Sequence, residues 1–127
     1  IKIKCSLCPQ PPQIDADPAQ ISQVFVSLMV NAIQAMPRGG TISIRTRKEP
    51  DKVSLIIEDT GCGMTQEVLQ KIFNPFFTTK EVGIGTGLGL PVVHGIITAH
   101  EGLIKIDSQS GIGTKCRIKL PAGRSRA

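Results

Sequence analysis

The chain has 127 residues, enough for one domain with a single core, and its 40% hydrophobic and 20% charged content is that of a folded globular protein, not a disordered one. With four Phe and neither Tyr nor Trp, it lacks the exposed aromatics of a base-stacking nucleic-acid reader, and its core has to be built from Ile, Val and Leu. A net charge of +5 favours polyanionic ligands, and no apolar run approaches the ~20 residues of a membrane span.

Residues 1–7 alternate as Ile-Lys-Ile-Lys-Cys-Ser-Leu and predict a half-buried strand, which Pro9, Pro11 and Pro12 break. The chain opens inside this pattern without an initiator Met, as expected of a piece of a longer protein. Cys5 and Cys8 form a C-x-x-C, but a structural zinc site needs about four ligands and the other thiols, Cys62 and Cys116, stand alone in sequence. Reduced thiols in a cytoplasmic setting are the expectation.

Asp17-Pro18-Ala19-Gln20 predicts a helix start: Asp17 caps, Pro18 takes the first helical position, and Gln20 can reach back as in a capping box. The helix runs to about Met36, ahead of Pro37 and Gly39-Gly40, with Ile21, Val24, Phe25, Leu28, Ala32 and Met36 as its apolar stripe. Residues 41–46 and 53–59 predict two strands joined through Lys48-Glu49-Pro50-Asp51 as an antiparallel hairpin. A short helix over 65–72, capped by Thr65, precedes a loop without periodicity over 73–87. A second long helix begins near Leu88 and ends near His100, before Gly102. Residues 103–107 and 115–120 predict strands around a glycine-containing turn over 108–114, and residues 122–127 a frayed tail. The order β-α-β-β-α-loop-α-β-β predicts a two-layer α/β sandwich: a mixed, mostly antiparallel sheet of about five strands, with three helices on one face. Neither a Rossmann G-x-G-x-x-G unit nor a Walker A loop is present, so a nucleotide site would need another design.

Asp59 ends a strong strand and precedes Thr60-Gly61-Cys62-Gly63. An ionised carboxylate is acceptor-only and suits an exocyclic amine such as that of adenine, while the glycines let a planar ring approach the backbone. Taken alone, the run reads rather as a strand-to-helix turn with a solvated Asp. Asn31 lies on the flank of the first helix's apolar stripe, where its amide oxygen could bind a hard cation such as Mg²⁺ or simply face solvent. Gly83, Gly85, Gly87 and Gly89 run into a helix N-terminus, whose N–H groups and dipole favour an anion, with Lys80 within reach as a point charge. Phe73, Phe76 and Phe77 fall on the predicted loop and either pack permanently on the core or belong to a lid. His94 and His100 have no carboxylate in a useful local arrangement and read as core-edge or solvent-facing.

In order and spacing, these motifs together resemble the catalytic ATP-binding domain of sensor histidine kinases, in the wider group with DNA gyrase, Hsp90 and MutL. The stretch from Gln23 through Asn31-Ala32 is similar to the N box, Asp59-Thr-Gly-Cys-Gly-Met64 to the G1 box, Phe73-Asn-Pro-Phe-Phe77 to the F box, Gly85-Thr-Gly-Leu-Gly-Leu90 to the G2 box, and Gly111-Ile-Gly-Thr114 to the closing glycine motif. The resemblance implies the Bergerat α/β sandwich over residues 1–121, with 122–127 as a tail. It implies that Asp59 accepts the adenine amine, that Gly61 and Gly63 shape the base pocket, and that Asn31 holds Mg²⁺ bridging the phosphates of ATP. It further implies nucleotide contacts from Met64, Phe77, Thr79, Lys80, Gly85, Thr86 and Thr114, a lid over about 74–86, and phosphate contacts from Gly87, Leu88, Gly89 and Leu90, with Asn31 and Lys80 serving phosphoryl transfer.

The partners it implies are a dimerisation and histidine-phosphoacceptor domain of the same kinase and a cognate response regulator. The isolated domain would be a cytoplasmic monomer and the full-length kinase a homodimer, either soluble or membrane-anchored, with no nucleic-acid or direct membrane contact by this domain. Departures from the family pattern are Ser27, where many members have a second Asn and the distant ATPases a Glu, and Gln34, Ala35 and Cys116 in place of Lys, an aromatic and Phe. The alternative is a GHKL-type ATPase, or a nucleotide-binding interaction module without histidine phosphotransfer.

Overall fold

Asp17 starts the first helix as its side chain allows. In the computed structural model, which describes residues 1–8, 14, 16–71 and 89–122, the Asp17 carboxylate accepts from the N–H groups of Ala19 (2.9 Å) and Gln20 (3.4 Å). Pro18 then opens α1 (Pro18–Gln34), where a missing N–H has no helical partner to lose. Val24, Leu28, Ala32 and, just beyond the helix, Met36 are buried. Phe25, at the margin of the expected stripe, is 37% exposed.

Among the described residues, five strands form one sheet in the order β1-β2-β3-β5-β4: β1 (Lys2–Ser6), β2 (Thr41–Glu49), β3 (Lys52–Asp59), β4 (Leu103–Gln109) and β5 (Gly113–Pro121). β1 runs parallel to β2, and every other neighbouring pair is antiparallel. Both hairpins are tighter than the sequence suggested. Pro50 and Asp51 alone turn β2 into β3, with Glu49 paired to Lys52, and β4 and β5 continue to a Gln109–Gly113 pair. Beyond β5, the Ala122 N–H donates to the Asp51 carbonyl (2.9 Å). The half-buried first strand is a correction: all five residues of β1 are exposed, because it lies at the sheet edge while the helices pack over β3 and β4.

The core lies between one sheet face and the helices α1 and α3 (Gly89–Ala99). Alternation along the strands puts Ile42, Ile44, Ile57, Cys116, Ile118 and Leu120 on this face against Val24, Leu28, Val93 and Ile97. The short α2 (Gln66–Leu69), capped by the Thr65 hydroxyl accepting from the Val68 N–H (3.2 Å), sits by β4. The opposite sheet face is charged, with Arg45–Glu58 (3.4 Å) and Lys119–Glu49 (3.3 Å) pairs. Ile56 is nonetheless buried there between its cross-strand partners Arg45 and Arg117, whose aliphatic stems flank it.

α3 closes in a Schellman motif: the Gly102 N–H donates to the Ile97 carbonyl (2.8 Å) and the Glu101 N–H to the Thr98 carbonyl (3.0 Å). The left-handed position falls on Glu101 (φ +60°), not on the glycine. Gly102 serves a different need, since a Cβ there would lie 2.7 Å from the Lys119 carbonyl oxygen.

Candidate functional site

Pairing across the sheet aligns Ile42, Asp59, Thr114 and Ser108 in one row over β2, β3, β5 and β4, on the helix-facing side. The next row inward, Ile44, Ile57, Cys116 and Ile106, is apolar. Over β3, β5 and β4 the core face therefore changes from hydrocarbon to oxygen within one two-residue step, and Asp59 is the only charge in these two rows. Both Asp59 and Ser108 are buried. Burial pushes the Asp59 carboxyl above the ordinary aspartate range, and hydrogen bonds from the Gly61 and Thr114 backbone N–H groups partly pull it back. The Gly61 N–H donates to Asp59 Oδ1 at 2.8 Å.

The loop after Asp59 is fixed from two sides. On one, the Cys62 N–H donates to the carbonyl of Ala35, the C-cap of α1 (3.0 Å), and Gly61 packs so closely there that a Cβ would lie 2.6 Å from that carbonyl oxygen. On the other, the Gly111 N–H donates to the Cys62 carbonyl (2.7 Å), and the Met64 N–H to the Ser108 hydroxyl (2.8 Å). Gly63 has φ +68°, and a Cβ on it would collide with the Gln109 carbonyl. Thr60 also contributes, its hydroxyl accepting from the Thr41 N–H (3.0 Å).

Asn31 stands one turn before Ala35, its carbonyl accepting from the Ala35 N–H (3.0 Å), so α1 carries it to the margin of this loop. Gly89 and Leu90 stand in the first turn of α3. The structure thus gathers Asn31, Ala35, Asp59, Gly61, Gly63, Met64 and Thr114 through hydrogen bonds and strand register. Phe73, Phe76, Phe77, Thr79, Lys80, Gly83, Gly85, Thr86, Gly87 and Leu88 lie outside the described residues. One contributor escapes sequence reasoning, Ser108; Gly113 belongs to the closing glycine motif, and Ala35 stands out in sequence only as a departure from the family pattern. Ser108 falls within the predicted turn, and Ala35 acts through its backbone.

The donor set suits a purine edge bearing an amine: a buried acceptor-only carboxylate beside a hydroxyl, over glycines that keep side chains away. A metal held by protein groups alone has no counterpart among the described residues, which contain no cluster of three or more His, Cys, Asp and Glu side chains. A single Asn oxygen suits Mg²⁺ that already carries phosphate and water ligands.

Residues 16–124 match the model of the histidine kinase-, DNA gyrase B- and HSP90-like ATPases, and the chain belongs to that family. It is 50% identical to sensor kinase CckA of Brucella abortus, a match covering 85% of this chain and 13% of CckA. It is 43% identical to sporulation kinase C of Bacillus subtilis, covering 85% of this chain and 25% of that one. Among solved structures, a nucleotide-free catalytic domain of histidine kinase ThkA superposes with a TM-score of 0.83 at 32% identity, covering 95% of this chain and 78% of that domain. The Bergerat-type sandwich expected from the motifs is the fold observed. The chain spans a quarter or less of the length of these two curated kinases. Among the described residues, no helix is long and apolar enough to cross a membrane.

Proposed function

We propose that this domain binds Mg²⁺–ATP and presents the γ-phosphate to a histidine on a separate dimerisation and phosphoacceptor domain of the same sensor kinase. The observation that carries the reading is Asp59: a buried carboxylate, oriented by the Gly61 N–H, at the mouth of a loop locked between α1 and the β4–β5 turn. Asp59 accepts the adenine amine, Gly61, Gly63 and Met64 shape the base pocket, and Thr114 adds a hydroxyl beside it. Asn31 holds Mg²⁺ at the phosphates, Gly89 and Leu90 offer the N–H groups of the α3 start, and Lys80, Phe77, Thr79, Gly85, Thr86, Gly87 and Leu88 complete the contacts that the family motifs imply. Bound Mg²⁺ supplies charge neutralisation during transfer; the chain's own residues position the nucleotide.

α1 carries no Asp or Glu, and Ser27 is a poor general base, which favours transfer over autonomous hydrolysis. The full-length kinase is a homodimer, soluble or membrane-anchored, that keeps this domain in the cytoplasm and acts on a cognate response regulator, and this domain alone is a monomer. Titration with a non-hydrolysable ATP analogue and Mg²⁺ should saturate, and Asp59→Asn should weaken binding at least tenfold, the size of a hydrogen bond to a charged group. Incubation with ATP and a separately prepared, histidine-bearing dimerisation domain should then label the histidine. Absence of saturable binding sinks the nucleotide reading, and binding without label sinks the transferase reading.

A further inference from the structure

Ser108 makes three polar contacts. The Met64 N–H donates to its oxygen (2.8 Å), its oxygen lies 3.0 Å from the Gly113 carbonyl, and Thr114 Oγ1 is 2.8 Å away. A serine hydroxyl has one proton and two lone pairs. The Gly113 carbonyl has no proton to give, so the Ser108 proton goes there. The Met64 N–H takes one lone pair. The third contact is a hydrogen bond only if Thr114 donates to the remaining lone pair. All three contacts are thus satisfied by one arrangement, in which the Thr114 proton points away from Asp59 toward β4.

We infer that Ser108 is a positioning residue for base choice: by taking the Thr114 proton, it leaves Thr114 Oγ1 facing the pocket with lone pairs only. This rests on the nucleotide-binding reading above. Asp59 is acceptor-only when ionised, and Thr114 is its register partner on β5. Together they form a wall of acceptors. The adenine edge offers an exocyclic amine with two N–H donors, whereas guanine places a carbonyl oxygen at the same point and meets only lone pairs. The β4 residue therefore selects against guanine without touching the base. Turning the Thr114 hydroxyl toward a second ligand would break its bond to the buried Ser108 and leave one Ser108 lone pair without a donor.

The test compares the affinities of non-hydrolysable ATP and GTP analogues, each with Mg²⁺, for the unsubstituted chain and its variants. In Ser108→Ala the Thr114 hydroxyl is free to rotate and donate to a carbonyl, and the ATP-to-GTP affinity ratio should fall about tenfold. Ser108→Thr, which keeps the hydroxyl, should restore the ratio. The double variant Ser108→Ala/Thr114→Val should lose the GTP gain. If Ser108 only braced the loop through Met64, both analogues would weaken equally and the ratio would stand, which overturns the inference while leaving nucleotide binding intact. Should Ser108→Ala fail to fold, Thr114→Val alone should weaken the ATP analogue and leave the GTP analogue unchanged; equal loss of both overturns it. No saturable binding of the ATP analogue by the unsubstituted chain overturns the nucleotide reading and this inference with it.

Discussion

The imidazole of His100 joins the end of α3 to the start of α1. Its Nε2 accepts from the Asp17 N–H at 3.1 Å, and its Nδ1 donates to the Ile96 carbonyl at 2.7 Å. Those two bonds fix one tautomer, with the proton on Nδ1. The Asp17 N–H is the donor a capping-box Gln20 would have taken, so a residue 83 positions away replaces the expected local partner. His100→Ala should therefore destabilise the domain by about 1 kcal/mol, read as a shift in the denaturation midpoint with an unchanged slope.

Asp59 supplies the pH dependence. Its folded-state pKa is raised by burial, so the native state holds the proton to higher pH than the unfolded chain. Stability without nucleotide accordingly falls as pH rises from the ordinary aspartate range through the raised value, and the full cost is present above it. Asp59→Asn should remove that slope and raise stability at neutral pH while it weakens ATP-analogue binding. Urea melts across about pH 4–7, set beside a binding titration, check both halves, and a variant less stable at neutral pH than the parent would refute the assignment.

Glycine at position 63 is required twice over, by its positive φ and by the Gln109 carbonyl at its Cα. Gly63→Ala should cost about 2 kcal/mol or more and weaken nucleotide binding in parallel, since the loop cannot relieve the clash without moving from Asp59. Thermal melts and the same titration would show it.

Glu101 offers a gain. It holds a left-handed conformation that costs a residue with a Cβ roughly 1 kcal/mol. Glu101→Gly should stabilise the domain by about 0.5–1 kcal/mol, less the entropy glycine adds to the unfolded chain, and leave nucleotide affinity unchanged. Gly102→Ala, next door, should destabilise it by clashing with the Lys119 carbonyl.

Thiol chemistry separates the cysteines. Burial pushes the Cys116 thiol up to about 12, while Cys5 and Cys62 are exposed. A maleimide at about pH 7.5 should label Cys5 and Cys62 in the native state and Cys116 only after denaturation, as peptide mapping would reveal.

Legibility in the sequence follows the range of the interactions. The cap of α1 at Asp17, the cap of α2 at Thr65, the apolar stripe of α1 and the element order are written in neighbouring residues, and each can be read there. Asp59 stands out because a carboxylate between a strand end and glycines is a local pattern. β1 misleads because alternation states which residues share a face, not whether anything covers it. Ser108 is hidden because a serine in a glycine-containing turn reads as a turn residue, and only pairing with β5 brings it beside Thr114. His100 carries no local signal for its bond to Asp17, which lies 83 positions away in sequence.

The sheet order places β5, the last strand in sequence, between β3 and β4. Thr114 is on that strand, and Asp59 and Ser108 meet only across it. During synthesis the carboxylate and its loop leave the ribosome about fifty residues before the strand that walls them in. Until β5 inserts, Asp59 lacks the Thr114 N–H, and β4 has no neighbour in the sheet. Assembly of the row that joins Asp59, Thr114 and Ser108 and completion of the sheet are therefore one event.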